Sequence, residues 1–221
     1  DAAIGELIAG VISKIGKDGV VTVEPGQGLE MEQEIVEGFS YDKGYSSPFF
    51  VTDVNRQEAI FDKPLILLTD KKISSNNEIL PILEKVMQSG RKDLVIIAEE
   101  VSGEALSLLV LNKLKGVFNT LVLKAPAFGD RRKEILEDIA VLTGATVISE
   151  ERGMKLEDAD LDLLGSAKKI IATKDESTII SGNGDNKEVK ARIELIKSQA
   201  NLATSDYDRE QFNKRAAALL G

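Results

Sequence analysis

Side chains able to do nucleophilic, acid–base or metal chemistry are scarce here, because the 221 residues include no histidine and no cysteine. Without cysteine there is no disulfide, thiolate metal site or Cys nucleophile. Without histidine the commonest general base, the serine triad and nearly all zinc chemistry fall away. The adjacent carboxylates Glu99-Glu100 and Glu150-Glu151 come with no metal-ligand spacing, so acid–base catalysis lacks support. Asp158-Ala159-Asp160-Leu161-Asp162 opens like a calcium loop, but Leu163 stands where glycine is required and Lys169 where the bidentate glutamate belongs. Between Gly10 and Gly16-Lys17 there is one residue too many for a phosphate-binding loop, and Asp18 replaces its Ser/Thr. Gly182-Asn183-Gly184 lacks the third glycine and the acidic partner of a dinucleotide fold; it reads as a hairpin-to-helix turn. Gly129-Asp130-Arg131-Arg132-Lys133 opens a helix, where an anion can sit. The plainer reading is that Asp130 caps that helix and the bases are surface residues.

The elements that carry these residues belong to a globular chain. Its 43% hydrophobic and 29% charged residues, with charges spread along the chain, are ordinary for a folded protein. The length predicts one large domain, or a domain plus a fragment. With 28 basic against 37 acidic residues the net charge is −9, which disfavours phosphate-backbone binding, so nucleic acid is not an expected partner. Uncharged apolar stretches are too short to span a bilayer, so no membrane is expected either. The start, Asp1-Ala2-Ala3-Ile4, has neither a basic n-region nor a Met, and reads as an excised piece of a longer chain from a reducing compartment.

Apolar spacing predicts a helix over 4–15, then strands at 20–23 and about 31–36. After Gly38, strands and helices alternate: strand 65–68, helix 76–88, strand 94–98, helix 103–115, strand 120–124, helix 131–142, strand 146–148. That order predicts an α/β fold with mostly parallel neighbours. A hairpin follows (169–172 and 178–180), then two polar helices, about 185–202 and 206–220, the second capped by Ser205 or Asp206 and ended by Gly221.

The apolar residues are too widely spread for a bland domain. At about 100° per residue, Ala105, Leu106, Leu108, Leu109, Val110, Leu111, Leu114 and Val117 cover nearly the whole circumference of their helix. On helix 76–88, Ile79, Leu80, Ile82, Leu83, Val86 and Met87 span about 160°, wider than the ~100° of a core stripe. Five of the ten aromatics, Phe39, Tyr41, Tyr45, Phe49 and Phe50, fall in one Gly- and Pro-punctuated segment. Together these predict an exposed apolar groove, suited to peptides or helices with little sequence preference.

The same residues resemble a known family. Val36-Glu37-Gly38-Phe39, Tyr41 through Phe50, Asp70-Lys71-Lys72-Ile73-Ser74, Ile96-Ile97-Ala98-Glu99, Gly103-Glu104-Ala105-Leu106, Lys124 through Lys133 and Thr204 through Glu210 are similar, in order, to the apical domain of group I chaperonins of the GroEL type. Departures are Ala127, where the family usually has Gly, and one extra residue near Arg91–Asp93. The resemblance implies a three-layer β/β/α fold, a β-sandwich flanked by helices with two C-terminal helices. It places 1–36 in part of the intermediate domain and 37–221 in the apical domain.

By that resemblance, unfolded polypeptide and the mobile loop of a GroES-type co-chaperonin bind through Tyr45, Phe49, Phe50, Leu80, Leu83, Leu106, Val110, Leu111 and Asn112. Gly38 and Gly221 are implied as hinges. ATP and Mg belong to segments of the full-length double-ring protein that lie outside this chain, so this piece, expected to be a monomer, would hold no cofactor and hydrolyse nothing. The implied location is the bacterial cytoplasm, or else the mitochondrial matrix. Two other readings stand beside it: a small α/β enzyme taking a phosphorylated ligand at Asp130–Lys133, and a surface that only contacts neighbouring subunits.

Overall fold

A computed structural model describes Gly38–Gly221 and five helical residues before them, Gly5, Glu6, Ala9, Gly10 and Ser13. The chain divides into two compact units, Asp1–Glu37 and Gly38–Gly221. Those five positions agree with the helix expected over 4–15. The strands expected at 20–23 and 31–36, and the Lys17-Asp18 end of the glycine motif, lie outside the described residues.

Three apolar runs set the centre of the second unit. Strands β3 (Leu65–Leu68), β5 (Asp93–Ala98) and β7 (Asn119–Lys124) lie side by side and parallel. Ile66, Leu67, Leu68, Leu94 to Ile97 and Leu121 to Leu123 are all buried, which is why these strands do not alternate polar with apolar residues. Parallel neighbours need crossovers. Helix α1 (Asn76–Gln88) supplies the first and α2 (Gly103–Leu114) the second. Beyond the strand ends, β4 (Lys72–Ile73) and β6 (Glu100–Val101) form a small parallel pair at the roots of the two helices.

Only two of the six pairings in the large sheet, β3 with β5 and β5 with β7, are parallel, which corrects the expectation of mostly parallel neighbours. The full order is β1-β9-β8-β3-β5-β7, with β1 (Phe39–Tyr41), β8 (Gly165–Ala172) and β9 (Ser177–Gly182) antiparallel. Strand β2 (Ala59–Asp62) also lies along β8. It shares one register with β3, since Asp62 faces Lys169 and Leu65 faces Ser166. The two are a single line interrupted at Lys63-Pro64, where Lys63 has φ 48° and proline has no N–H to offer. Strand β8 therefore joins both halves into one seven-stranded mixed sheet, so the fold is α/β as expected but its sheet layers are continuous. The strand expected at 146–148 shrinks to one parallel bridge, Thr69 to Ile148.

Helices α3 (Gly129–Thr143), α4 (Asn186–Leu202) and α5 (Asp206–Leu220) are fastened by a buried charge. The fully buried Asp138 accepts from Arg192 Nε at 2.7 Å and from Arg215 Nε and Nη2 at 2.7 and 3.1 Å, and Arg215 also pairs with Glu134. A buried carboxylate is tolerable only when so paired. Ser205 caps α5, accepting from the Asp208 N–H at 3.0 Å. Asp130 does not cap α3; the helix begins at Gly129, two residues before the expected 131, with Phe128 as N-cap and Asp130 in the first turn. Gly38 and Gly221 stand together, since a Cβ on Gly221 would lie 4.0 Å from the Gly38 nitrogen. Among the described residues no helix is long and apolar enough to cross a membrane.

Candidate functional site

The basic side chains at the start of α3 bond to neighbouring groups, although the buried Arg132 Nε has no partner. Arg131 donates to the Tyr207 hydroxyl at 2.7 Å, Arg132 to the Ala127 carbonyl at 2.7 Å, and Lys133 to Glu151. The start of α3 thus spends its basic side chains internally, which weakens the phosphorylated-ligand reading. Around Ser149, which donates to Asp70 at 2.7 Å, a shallow hollow also contains the Arg152–Glu137 pair at 2.6 Å. Among the described residues no three of His, Cys, Asp and Glu gather as a metal site. At Gly182-Asn183-Gly184 the Asn183 N–H donates to Ser166 O at 3.0 Å and the Gly184 N–H to Leu142 O at 2.9 Å. Those two amides are spent on the fold and are not free to cradle a phosphate.

The apolar groups tell a different story. On α1, Ile79, Ile82, Leu83 and Val86 are buried and span about 100° of the helix, the whole of an ordinary core stripe. The excess width is Leu80 and Met87, about 20° apart on one side and exposed by 40% and 47%. On α2 only Ala105 and Leu109 are buried. Leu111 and Leu114 point the opposite way and are 49% and 66% exposed. Neither helix needs these side chains for its attachment to the sheet.

Both helices are held firmly. Ser75 and Glu78 close a capping box at the start of α1. Lys71 Nζ bridges Glu78 at 3.0 Å and Glu150 at 2.9 Å. Burial alone would lower the Lys71 pKa, but these carboxylates outweigh it and hold the ammonium above the usual lysine range. Burial would likewise raise Glu78, yet the Ser75 and Ser74 N–H groups and Lys71 bring it below the usual carboxylate range. At the end of α2, Lys113 Nζ lies 5.0 Å from the centroid of the Phe61 ring and donates to Asn119 at 2.7 Å, while Asn119 donates to Asp93 at 2.6 Å. Burial lowers the Lys113 pKa, with Asp93 opposing it.

The aromatic segment is laid along the outer edge of β7. Ser46 N–H donates to Val122 O at 2.9 Å and Lys124 N–H to Gly44 O at 3.1 Å. Gly44 is obligatory there, because a Cβ would fall 1.9 Å from the Thr173 carbonyl. A one-turn helix at Pro48–Phe50, with Ser47 accepting from the Phe49 N–H, then drives Phe50 into the core and turns Phe49 outward, 60% exposed. This turn packs against α2.

The nine residues expected on one open surface therefore separate into three groups. Phe49, Leu80 and Leu111 are exposed. Leu106, Val110 and Asn112 are half-buried, and the Asn112 amide turns back to donate to Leu108 O at 2.9 Å. Tyr45, Phe50 and Leu83 are buried, which corrects the expectation that they are open to solvent: each is the inward member of its segment. Tyr45 also donates its hydroxyl to Gln57 O at 3.3 Å. They support the surface from below. Met87 and Leu114, absent from that set, are among its most exposed members; the same helical spacing that marks Leu80 and Leu111 marks them. Exposed Phe128, outside both helices, has Lys43 and Arg132 over its ring at 5.2 and 5.3 Å.

The described unit is a mixed α/β scaffold that leaves apolar side chains on its two crossover helices in solvent. The sequence matches the model of the TCP-1/cpn60 chaperonin family over residues 3–210, and the chain belongs to that family. Membership brings the family's general properties, binding of client proteins and assembly into oligomers.

Proposed function

We infer that Gly38–Gly221 is the apical domain of a group I, GroEL-type chaperonin, preceded by a piece of its intermediate domain. Its task is to capture non-native polypeptide, and the mobile loop of a GroES-type co-chaperonin, on the apolar surface of α1, α2 and Phe49. The observation that carries this reading is that Leu80, Met87, Leu111 and Leu114 stay in solvent although the core stripes of both helices are complete without them. Each apolar side chain buried by a client contributes at most ~1.5–3 kcal/mol, so a few anchors give micromolar affinity after ordering costs. Such a surface selects for apolar spacing and not for sequence. Tyr45, Phe50 and Leu83 set the position of the surface, and Gly38 and Gly221 serve as its hinges. No residue of this unit is assigned to catalysis; ATP and Mg act in other segments of the full-length ring. A bacterial cytoplasm or mitochondrial matrix suits this role.

The test is peptide affinity at low and high salt for two peptides of identical composition, one amphipathic and one scrambled. A preference for the amphipathic peptide that survives high salt supports the reading, because apolar burial is insensitive to screening. Equal binding of both, or loss at high salt, means that charge drives recognition and refutes it.

A further inference from the structure

We propose that Met87 is an oxidation site through which a peroxide weakens polypeptide capture by this surface, an inference that rests on the reading just given. Three methionines are present. Met31 lies outside the described residues. Met154 is half-buried and packed against the core, where it is shielded and where a sulfoxide would disturb the fold. Met87 is different: it is 47% exposed in the last turn of α1, one helical face with Leu80, while Val86 beside it holds the helix to the core. About half of this residue is therefore open to solvent and to an oxidant, and the core stripe of α1 is complete without it.

The chemistry balances with hydrogen peroxide as the oxidant. One peroxide oxygen is transferred to the Met87 sulfur, which loses two electrons and becomes a sulfoxide, and the peroxide leaves as water. No proton is gained or lost overall. The product carries a strong S=O dipole on the apolar side of α1. Burying it under a client would strip its hydration with no donor supplied by Leu80 or by the carbon surface around it. The modified domain stays folded and loses grip, and reduction of the sulfoxide restores it.

The experiment treats wild type and Met87→Leu with hydrogen peroxide, maps the sulfoxides by peptide mass spectrometry, and compares each treated protein with its own untreated form. The measurements are affinity for the amphipathic peptide by fluorescence anisotropy, and the melting temperature. The expected result is a sulfoxide at Met87 ahead of Met154, about tenfold weaker binding by oxidised wild type, a melting temperature lowered by no more than the ~2–6 °C of a half-exposed side chain, and recovery with methionine sulfoxide reductase. Met87→Leu keeps its own affinity after treatment. Quantitative oxidation of Met87 without loss of affinity, resistance of Met87 to oxidation, or an equal loss in Met87→Leu each overturns the proposal while leaving the surface assignment standing. Failure of untreated wild type to bind the peptide overturns both.

Discussion

Leu111→Ser separates a binding leucine from a core leucine on the same helix. Full burial of a leucine is worth about 1.5–3 kcal/mol. Leu111 is 49% exposed, so about half of that, ~0.8–1.5 kcal/mol, is already gained in the folded domain and is the expected stability loss. For a chain of this size that is a melting-temperature decrease of about 2–6 °C. The other half is available to a client, so peptide affinity should fall about four- to twelvefold. Leu109, 1% exposed one turn from Ala105, is the contrast: Leu109→Ala should cost ~2–5 kcal/mol with unchanged affinity per folded molecule. Differential scanning fluorimetry and fluorescence anisotropy on both variants measure the two effects. A melting-temperature loss above ~10 °C for Leu111→Ser, with affinity per folded molecule intact, would place Leu111 in the core and refute the reasoning.

Arg215→Met leaves the buried Asp138 with Arg192 alone and should cost ~3–5 kcal/mol in urea unfolding; a loss below ~1 kcal/mol would show that the carboxylate tolerates the missing partner. The Tyr41 hydroxyl is buried without a hydrogen bond, and nearby Ser177 donates instead to the Lys43 carbonyl at 2.7 Å. Tyr41→Phe should therefore be neutral or stabilising by up to ~1 kcal/mol, and a clear loss would reveal a partner for that oxygen. Burial raises the Tyr41 pKa, against a smaller pull from Ser177, so the folded state keeps its proton where the unfolded chain releases it. Wild type then loses stability as pH rises above ~10, and Tyr41→Phe should flatten that slope. Gly44→Ala should cost ~3 kcal/mol or more and speed amide exchange at Tyr45 and Ser46, the residues it would lift from the β7 edge; slow exchange in that variant would contradict the contact geometry.

Local patterns were readable and long-range pairings were not. Helix 76–88 and strand 65–68 follow from spacing and flanking residues alone, because Ser75 and Glu78 form their cap within four residues. Of the antiparallel half of the sheet only the hairpin of 169–172 with 178–180 was readable, and it forms as β8 and β9; the pairing of 59–62 with 169–172 has no local mark, and Lys63-Pro64 disguises two strands as separate elements. The Asp138 cluster spans residues 54 and 77 positions apart. For the candidate surface, helical width revealed that some leucines are surplus to the core. It could not say that Phe50, and not Phe49, turns inward, because a one-turn helix has no periodicity to read.

The meeting of Gly38 and Gly221 changes what this unit looks like to any polypeptide joined at both points. A guest whose entry and exit are neighbours occupies a gap no wider than a tight turn, so the host's two flanks are held together as if by a short loop. The entropy of closing a large insertion is then met once, by the guest's own folding, and is not charged to the host. Grafting follows from the same geometry. The unit should fold when inserted into the surface loop of an unrelated protein, and it should accept a peptide link between its two ends, with new termini opened at an exposed turn such as Lys174-Asp175.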